Sequence, residues 1–263
     1  IFNFQQIKRL ADYSDVELKV LAPLPWYYRN DIKEKENIGV IPVMHPRYFM
    51  LPKLGRSLYG YFFYRSLLNT VKQIYNDFNF DIIFSTWVYP DAYGSYLIAK
   101  EIGKPIVIKA HGSDINTYIN YSLRKKMIAS ALTYSKKVVA VSKGLKEKII
   151  SIGVPAEKVV VLYNGVDTQL FRPLDKEKCR EKMNVPLNKK VFLYAGNFVK
   201  GKGIEYLIEA FSKTFAHSNE YLLLLAGSGN LKKALKKKVS KLGLLDKILF
   251  VDRLPHEKMP LIM

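Results

Sequence analysis

Short apolar runs alternate with helix-like patterns along most of the chain, and this alternation predicts the fold class. Apolar runs, several of them apolar at both odd and even positions, predict strands at residues 16–22, 80–86, 105–110, 137–142 and 158–162. Apolar residues at helical spacing predict helices at residues 56–78, 91–102, 118–134 and 143–152. Such alternation is typical of parallel sheets with crossover helices, so we predict an α/β fold.

A second, shorter series follows the turn-rich segment YNGVDTQLFRPLDKE, which contains Pro173 and predicts a domain boundary. The two domains would then comprise residues 1–170 and 171–263. The second series predicts strands at residues 191–195, 221–226 and 247–251 and helices at residues 204–215 and 231–242. Three strands are few for a doubly wound sheet. Because the chain also starts at Ile1 and stops at Met263 within an apolar pattern, we expect a fragment cut at both ends, with an incomplete second domain.

Length and charge narrow the function classes. A chain of 263 residues can bury two cores, and 42 basic against 23 acidic residues give a formal charge of +19. That charge favours anionic partners such as nucleotide phosphates, acidic lipid headgroups or nucleic acid. The single cysteine, Cys179, excludes a disulfide framework and fits a reducing compartment such as the cytoplasm. No apolar run reaches the roughly 18 residues that a membrane span needs.

The strongest candidate for chemistry is the loop that follows the predicted strand 191–195. It contains Gly196, Gly201, Lys202 and Gly203 and opens directly into an amphipathic helix. Glycines let the backbone approach a ligand, and a helix N-terminus with a lysine attracts phosphate. The spacing nearly matches a P-loop, but Gly203 stands where a nucleotide hydrolase needs Ser or Thr for magnesium. The loop therefore predicts a diphosphate-binding site that lacks a ligand for a metal ion. The alternative is a simple turn with solvated lysines.

A second strand-to-helix glycine loop contains Gly227, Ser228, Gly229 and Asn230. Alone it is a weak signal, because glycines at such a place can simply permit a turn. Together with the loop at Gly196, it suggests two helix N-termini that face one anionic ligand.

His111, Gly112, Ser113 and Asp114 follow the predicted strand 105–110, at the edge of a sheet where α/β proteins bind ligands. The imidazole can hydrogen-bond a sugar hydroxyl or stabilise charge near a reacting carbon, and Ser113 or Asp114 can cap a following helix. The alternative is a capped turn with an incidental histidine.

Asn164 and Gly165 follow the predicted strand 158–162. The Asn-Gly pair predicts a tight turn with positive φ, which could serve as a hinge between domains or contact a ligand.

Residues 48–68 combine seven aromatic residues with Arg47, Lys53, Arg56 and Arg65 in and beside the segment. Because these are too many for one buried face, we expect a partly exposed surface that touches lipid or an amphipathic acceptor. The predicted lysine-rich helix 231–242 has two interpretations. Either its apolar stripe packs into the core while its lysines face solvent, or the helix binds a membrane surface.

The sequence contains no Asp-x-Asp pair and no His/Glu cluster with zinc spacing. We therefore expect lysines and helix N-termini, rather than a coordinated cation, to stabilise the negative charge of the phosphate.

In their order and spacing, these motifs resemble the retaining glycosyltransferases of family 4 over nearly the whole chain. The runs Ala22–Trp26, His45–Tyr48 and His111–Asp114 resemble the branch that builds capsular, teichuronic and other bacterial surface polysaccharides. The resemblance implies a GT-B fold, with two Rossmann-like domains whose parallel sheets face a cleft. The first domain, lacking its first strand, would bind the acceptor, and the second, truncated, would bind the nucleotide-sugar.

The resemblance also implies residue roles. Lys202 matches the lysine that grips the donor diphosphate, and His111 matches the catalytic-site histidine near the transferred sugar. The other candidate donor-binding residues are Gly196, Asn197, Gly203, Gly227, Gly229 and Leu254, of which Gly227, Gly229 and Leu254 match the family's donor segments. The candidate residues on the acceptor side of the first domain are Ser113, Asp114 and Asn164.

Three departures from the family pattern stand out. Asn197 replaces a usual Arg or Lys, and Asp252 replaces a usual glycine. The family's paired glutamates would lie beyond Met263, so we expect the chain to be inactive by itself.

The resemblance implies a retaining hexosyltransferase that uses a UDP- or GDP-linked sugar, a lipid-linked or saccharide acceptor and no metal cofactor. It would work in the cytoplasm, at the inner face of the cell membrane, without a nucleic-acid partner. Three alternatives stay open: an epimerase of the same architecture, a P-loop nucleotide hydrolase, and a basic nucleic-acid-binding module. The hydrolase lacks a seat for magnesium at Gly203, and the nucleic-acid module lacks a recognised motif.

Overall fold

The computed structural model describes residues 2–28, 32–52 and 54–263. Lys53, which the sequence places in the basic aromatic segment, lies outside the described residues. The chain divides into two compact units, Ile1–Gly165 and Val166–Met263.

The first unit is built on a four-stranded parallel sheet. Its strands, in spatial as well as chain order, are β6 Ile83–Thr86, β7 Ile106–Ala110, β8 Lys137–Ala140 and β9 Val159–Val161. The helices that precede and connect these strands are α2 Tyr59–Phe78, α3 Tyr93–Ile102, α5 Ser122–Tyr134 and α6 Lys143–Ile150. Fully buried side chains such as Ile106, Ile108 and Val138 pack against Ile128 and Ile149 of the helices. The predicted parallel α/β architecture is confirmed.

The N-terminal part of the first unit differs from the prediction. A helix and five short strands precede the four-stranded sheet: α1 Phe2–Ala11, β1 Val20–Leu21, β2 Leu24–Pro25, β3 Lys35–Ile38, β4 Ile41–Met44 and β5 Arg47–Tyr48. The predicted strand 16–22 shrinks to two residues, because Val16, Glu17 and Lys19 are exposed. Strand β3 pairs antiparallel with β4 across a two-residue turn that starts at Gly39, whose φ of 65° suits a hairpin.

Three predicted helices of the first unit begin later than expected. Residues 56–58 form a 3-10 turn before α2, residues 88–92 form a separate turn before α3, and residues 118–120 form a 3-10 turn before α5. A short helix, α4 Ser113–Asn116, follows β7 and was not predicted.

The second unit contains a three-stranded parallel sheet in the order β10 Lys190–Ala195, β11 Tyr221–Ala226, β12 Ile248–Val251. Its helices are α7 Lys176–Lys182, α8 Ile204–Phe215 and α9 Lys232–Lys241. Helix α7 was not predicted, because it is almost entirely charged; its start is capped by the Asp175 carboxylate, which accepts from the amide of Lys178 at 3.1 Å.

Helix α9 settles the two interpretations of the lysine-rich segment in favour of core packing. Its Leu235 and Val239 are buried with Ile208 of α8, and Lys238 forms an ion pair with Glu209. The lysine face of α9 is therefore the solvated side of an ordinary sheet-covering helix.

Candidate functional site

The glycine-lysine loop of the second unit leads from β10 to α8. Lys200–Lys202 form a 3-10 turn, and Gly203, with φ of 68°, precedes α8 without any side-chain cap. The first amides of a helix have no carbonyl partner within it, so the start of α8 carries partial positive charge. The side chains of Lys200 and Lys202 are exposed beside it. Backbone amides and lysines at this edge can together hold an anion.

The second glycine loop is locked to the first by backbone hydrogen bonds. The amide of Gly196 donates to the carbonyl of Ala226 at 2.9 Å, and the amide of Phe198 donates to the carbonyl of Ser228 at 2.8 Å. The amide of Leu231 donates a hydrogen bond to the carbonyl of Phe198 at 3.1 Å. The side chain of Phe198 is fully buried. The structure thus brings both predicted donor loops to one edge of the sheet.

Close packing explains why the second loop needs glycines. A Cβ on Gly227 would lie 1.9 Å from the Gly196 carbonyl oxygen, and one on Gly229 would lie 2.4 Å from the Phe198 carbonyl oxygen. Their φ values, 147° and 157°, also favour glycine.

The remaining predicted donor residues lie on loops of the same unit. Asn197 is exposed, and its carbonyl accepts from the Tyr194 hydroxyl at 3.0 Å. Leu254 is half-buried after β12. In the same loop, Asp252 pairs with Lys232 in the first turn of α9, and the hydrogen bond from Lys232 holds the pKa of Asp252 below its usual value. Lys232 is thus a cation at this edge that the sequence analysis did not assign.

In the first unit, the Asp114 carboxylate organises the loop after β7. Its Oδ1 accepts from the amides of Gly112 at 2.8 Å, His111 at 3.0 Å and Ile115 at 3.1 Å, and its Oδ2 accepts from Val88 at 3.0 Å. Asp114 is fully buried, and Ser113 beside it is exposed. The N-cap position of α4 is Gly112, which has no side chain, so Ser113 does not serve as the predicted cap, whereas Asp114 accepts from the amide of Ile115 in the first turn of α4.

His111 presents a neutral imidazole at this edge. Burial lowers the pKa of His111 below its usual value, Lys109 lowers it further, and Asp114 opposes both. The ring lies near that of Trp87, with 6.4 Å between the ring centres. Within the described ranges, the buried Nε2 of His111 has no hydrogen-bond partner. A neutral imidazole with an unused nitrogen can bind a hydroxyl group.

Lys109 is a buried lysine that the sequence analysis missed. Only 3% of it is exposed, and its Nζ donates to Gln6 Oε1 at 2.8 Å and to Asn164 Oδ1 at 3.0 Å. Burial lowers the pKa of Lys109. The predicted tight turn at Asn164 is wrong, because no turn is assigned there and neither Asn164 nor Gly165 has a positive φ. The Asn164 side chain instead accepts a hydrogen bond from Lys109.

We expect Asp114→Ala to lower stability by roughly 2–3 kcal/mol, because it leaves buried backbone amides without an acceptor. Thermal unfolding at neutral pH would measure the loss, with Asp81→Ala as the control because Asp81 is exposed. Equal unfolding temperatures for the two variants would contradict this account of the loop.

The described residues form neither a metal-binding cluster nor a membrane-spanning helix. Across residues 2–28, 32–52 and 54–263, no group of three or more His, Cys, Asp or Glu side chains could hold a metal ion. None of the helices in that part of the chain combines the length and apolar character needed to cross a membrane.

Comparison with protein families gives a match over both units. The model for Glycosyltransferase Family 4 matches residues 7–170, and that for Glycosyl transferases group 1 matches residues 175–263. The chain belongs to glycosyltransferase family 4. The resemblance inferred from the sequence motifs is therefore confirmed.

Among curated relatives, TuaC of Bacillus subtilis (strain 168), whose name assigns it to teichuronic acid biosynthesis as a glycosyltransferase, is 26% identical over 228 residues. This match covers 80% of the chain and 57% of TuaC. The capsular polysaccharide biosynthesis glycosyltransferase CapM of Staphylococcus aureus is 35% identical over 104 residues, 37% of the chain and 27% of CapM. The chain thus spans little more than half of TuaC and less of CapM.

Solved structures share the fold. Anabaena HepE in complex with UDP gives a TM-score of 0.66 at 21% identity, covering 84% of the chain and 58% of HepE. Sucrose-phosphate synthase from Thermosynechococcus elongatus gives 0.75 at 15% identity, covering 99% of the chain and 66% of the synthase. These likenesses confirm the α/β fold class of the GT-B glycosyltransferases. The roles of individual site residues stay predictions.

Proposed function

We propose that the full-length protein is a retaining hexosyltransferase of bacterial surface polysaccharide synthesis, acting on a lipid-linked or saccharide acceptor. Family membership and relatives named for teichuronic acid and capsular polysaccharide support this assignment. The observation that carries it is the anion-binding edge of the second unit, where the Gly196 loop, the start of α8 and exposed lysines come together.

The donor in this proposal is a UDP- or GDP-linked sugar whose diphosphate lies over Lys202 and the first amides of α8. HepE was crystallised with UDP and with UDP-glucose, which favours a nucleotide-sugar for a chain of the same fold. Lys232, in the first turn of α9, is a further cation of the second unit, and it is paired with Asp252. Fixed charges replace a metal cofactor in this account.

In the proposed reaction, the bond between the sugar's anomeric carbon and the leaving phosphate oxygen breaks while the acceptor oxygen bonds to that carbon on the same face. The departing phosphate takes the acceptor's hydroxyl proton, so no base from this chain is required. Negative charge grows on the diphosphate as it leaves, and preorganised positive groups stabilise that charge. The neutral His111 would hydrogen-bond the transferred sugar.

The test is a transfer assay with the full-length protein in EDTA, using UDP- and GDP-sugars with lipid-linked and saccharide acceptors, and product detection by mass spectrometry. We expect a glycosylated acceptor of retained anomeric configuration. An epimerised sugar nucleotide without transfer would favour the epimerase, and release of nucleotide phosphate only with magnesium would favour the hydrolase.

A partly exposed aromatic surface in the first unit supports a membrane location for the acceptor. We define this aromatic surface as Trp26, Tyr27, Phe49 and Phe62; Trp26 and Phe49 stack with 6.5 Å between ring centres and are 54% and 44% exposed. Tyr48 and Phe63 of the same segment are buried, so the segment serves both core and surface.

Charge favours an anionic bilayer as the partner of this surface. No acidic residue occurs between Glu36 and Asp77, and Arg47, Arg56 and Arg65 are exposed. Exposed Trp and Tyr beside basic residues suit the headgroup region of a membrane. We therefore propose that the protein works in the cytoplasm at the inner face of the cell membrane.

We expect the double variant Trp26→Ala/Phe49→Ala to bind vesicles containing phosphatidylglycerol at least tenfold more weakly, because two aromatic side chains lose their apolar burial. Vesicle co-sedimentation of the full-length protein measures this change. Tyr206→Ala is the matched control, since Tyr206 of α8 is 76% exposed. Equal loss in both variants, or no vesicle binding by the wild type, would contradict the proposed surface.

A further inference from the structure

Arg124 is a buried arginine without an acidic partner, and the proposed reaction does not use it. Only 7% of it is exposed. It is the third residue of α5, and its guanidinium lies 4.0 Å from the ring centre of Tyr121 and 5.6 Å from that of Tyr118. Over residues 2–28, 32–52 and 54–263, no carboxylate forms an ion pair with it. A guanidinium stays charged at physiological pH, so a buried one calls for an anion.

Most of the hydrogen-bond donors of Arg124 are free. Its Nε donates to the Ser57 hydroxyl at 3.2 Å, and in the described part of the chain its two terminal nitrogens have no acceptor. The enclosed side-chain atoms of that part that lack a partner are Asn3 Oδ1 and His111 Nε2, so the terminal nitrogens of Arg124 are open to solvent. A guanidinium held in place with its two terminal nitrogens free can bind two oxygens of one phosphate.

The first amides of α5 add to this positive site. The N-cap residue is Tyr121, whose side chain makes no capping bond. Among the described residues, no group accepts from the amides of Ser122, Leu123 or Arg124. Side chains on a helix lean towards its N-terminus, and Arg124 stacks on the N-cap residue itself. Its guanidinium and the first amides therefore lie at the same end of the helix, which carries partial positive charge.

The two segments that build the site carry no negative charge. Residues 37–76, which contribute Ser57, and residues 115–146, which contribute Arg124, contain no Asp or Glu. Arg56, Lys125 and Lys126, their neighbours in the sequence, are exposed. An anion that approaches this surface therefore meets positive charge alone from these segments.

The position of the site connects it with the acceptor. Helices that join parallel strands run antiparallel to them, so α5 begins at the edge of the sheet where β7 ends and where His111 lies. Ser57 lies in the turn that leads into α2, and Phe62 of α2 packs on Phe49 of the aromatic surface with 5.3 Å between ring centres. The site is thus joined both to the edge with His111 and to the aromatic surface.

We propose that Arg124, Ser57 and the start of α5 bind a phosphate group of the acceptor. This inference rests on the proposed transferase function and adds a chemical class to its acceptor, a phosphorylated saccharide; lipid-linked saccharides and free sugar phosphates share this group. The terminal nitrogens of Arg124 donate to two phosphate oxygens. The Ser57 hydroxyl accepts from Arg124 Nε, so its own hydrogen is free to donate to a third. No bond is formed or broken at this phosphate.

Hydrogen–deuterium exchange of the full-length protein with inorganic pyrophosphate tests the binding site. We expect slower exchange over residues 118–126 in the wild type and no such protection in Arg124→Gln, which removes the charge. Lys126→Gln is the matched control, because Lys126 is an exposed lysine of the same helix, and it should be protected like the wild type. Protection over residues 197–205, the proposed donor site, should be the same in all three proteins.

Ser57→Ala keeps the arginine in place and tests the site without removing a buried charge. We expect it to weaken pyrophosphate binding at residues 118–126 by roughly three- to tenfold, because one hydrogen bond to the anion is lost. Its unfolding temperature should stay near that of the wild type, since the hydroxyl is only half-buried.

Transfer assays test the role in the acceptor complex, with three acceptors that carry the same saccharide: diphosphate-linked to a lipid, as a soluble sugar 1-phosphate, and without phosphate. We expect Arg124→Gln to raise the KM for the acceptor that carries the phosphate roughly ten- to a hundredfold, because a charged hydrogen-bonded contact is lost. The KM for the saccharide without phosphate should not change. A lower wild-type KM for the lipid-linked acceptor than for the sugar 1-phosphate assigns the phosphate to the lipid linkage, and the reverse assigns it to a free sugar phosphate.

Equal protection of residues 118–126 in Arg124→Gln and the wild type, or an equal rise in KM for acceptors with and without phosphate, would overturn the site and leave Arg124 a structural residue. Transfer by the wild type would then leave the proposed function standing. If pyrophosphate protected residues 118–126 but the wild type transferred no sugar, the proposed function and the acceptor role would fail, while the phosphate site itself would stand.

Discussion

Lys202→Ala in the full-length protein will lower glycosyl transfer by roughly ten- to a thousandfold. Lys202 is exposed in the turn before α8, and no acidic side chain among residues 2–28, 32–52 and 54–263 pairs with it. Its charge is therefore available to a ligand. Negative charge on the diphosphate increases as the sugar leaves, so the lysine stabilises the transition state more than the bound donor, and the loss should appear mainly in kcat.

Lys213→Ala is the matched control for this variant. Lys213 is an exposed lysine in the last turn of the same helix, far along the sequence from the glycine loop. We expect Lys213→Ala to turn over like the wild type and both variants to unfold at the wild-type temperature. Equal turnover by Lys202→Ala and Lys213→Ala would remove Lys202 from the donor site.

Gly227→Ala will destabilise the protein by roughly 3–5 kcal/mol, because the new Cβ would collide with backbone. The predicted approach to the Gly196 carbonyl oxygen is 1.9 Å, and neither partner is a side chain that can rotate away. The two glycine loops would have to separate, which breaks the bond from the Gly196 amide to the Ala226 carbonyl. Thermal unfolding of the full-length protein should show a drop of roughly 6–15 °C, and UDP binding should weaken with it.

Gly201→Ala isolates this steric effect. Gly201 lies in the first loop, has no positive φ, and a Cβ there would meet no atom within 4 Å. We expect this variant to change stability by less than about 1 kcal/mol. If Gly201→Ala and Gly227→Ala were equally stable, the two loops would not be packed as described.

The sequence predicted the second unit well because its elements are long and regular. Helix α8 begins and ends where the pattern places it, and β11 does as well. Helix α8 has an amphipathic period and β11 has a continuous apolar run. In each element this local signal agrees with the tertiary surroundings. The same agreement holds for the glycine loops, whose strand-to-helix positions follow directly from these elements.

The N-terminal elements escaped prediction because strands of two to four residues depend on partners that are distant in the chain. Strand β1 exists through pairing with β4, and β2 through pairing with β5. Only the hairpin had a local signal, the glycine at residue 39 between two short β-rich runs.

The candidate site of the first unit was only partly predictable. His111 and Asp114 stood out as a motif after a strand, but Lys109 did not, because its unusual property is burial. A lysine inside the apolar strand Ile106–Ala110 was a usable signal, since such a residue needs a specific acceptor.

The central claim is that fixed positive charge on the second unit, without a divalent ion, holds the diphosphate of a nucleotide-sugar. Hydrogen–deuterium exchange of the full-length protein with and without UDP, in EDTA, tests this claim most directly. The account predicts slower exchange at the amides of residues 197–205 and 227–231. Protection that appears only after manganese is added, or that falls outside these two loops, would contradict it.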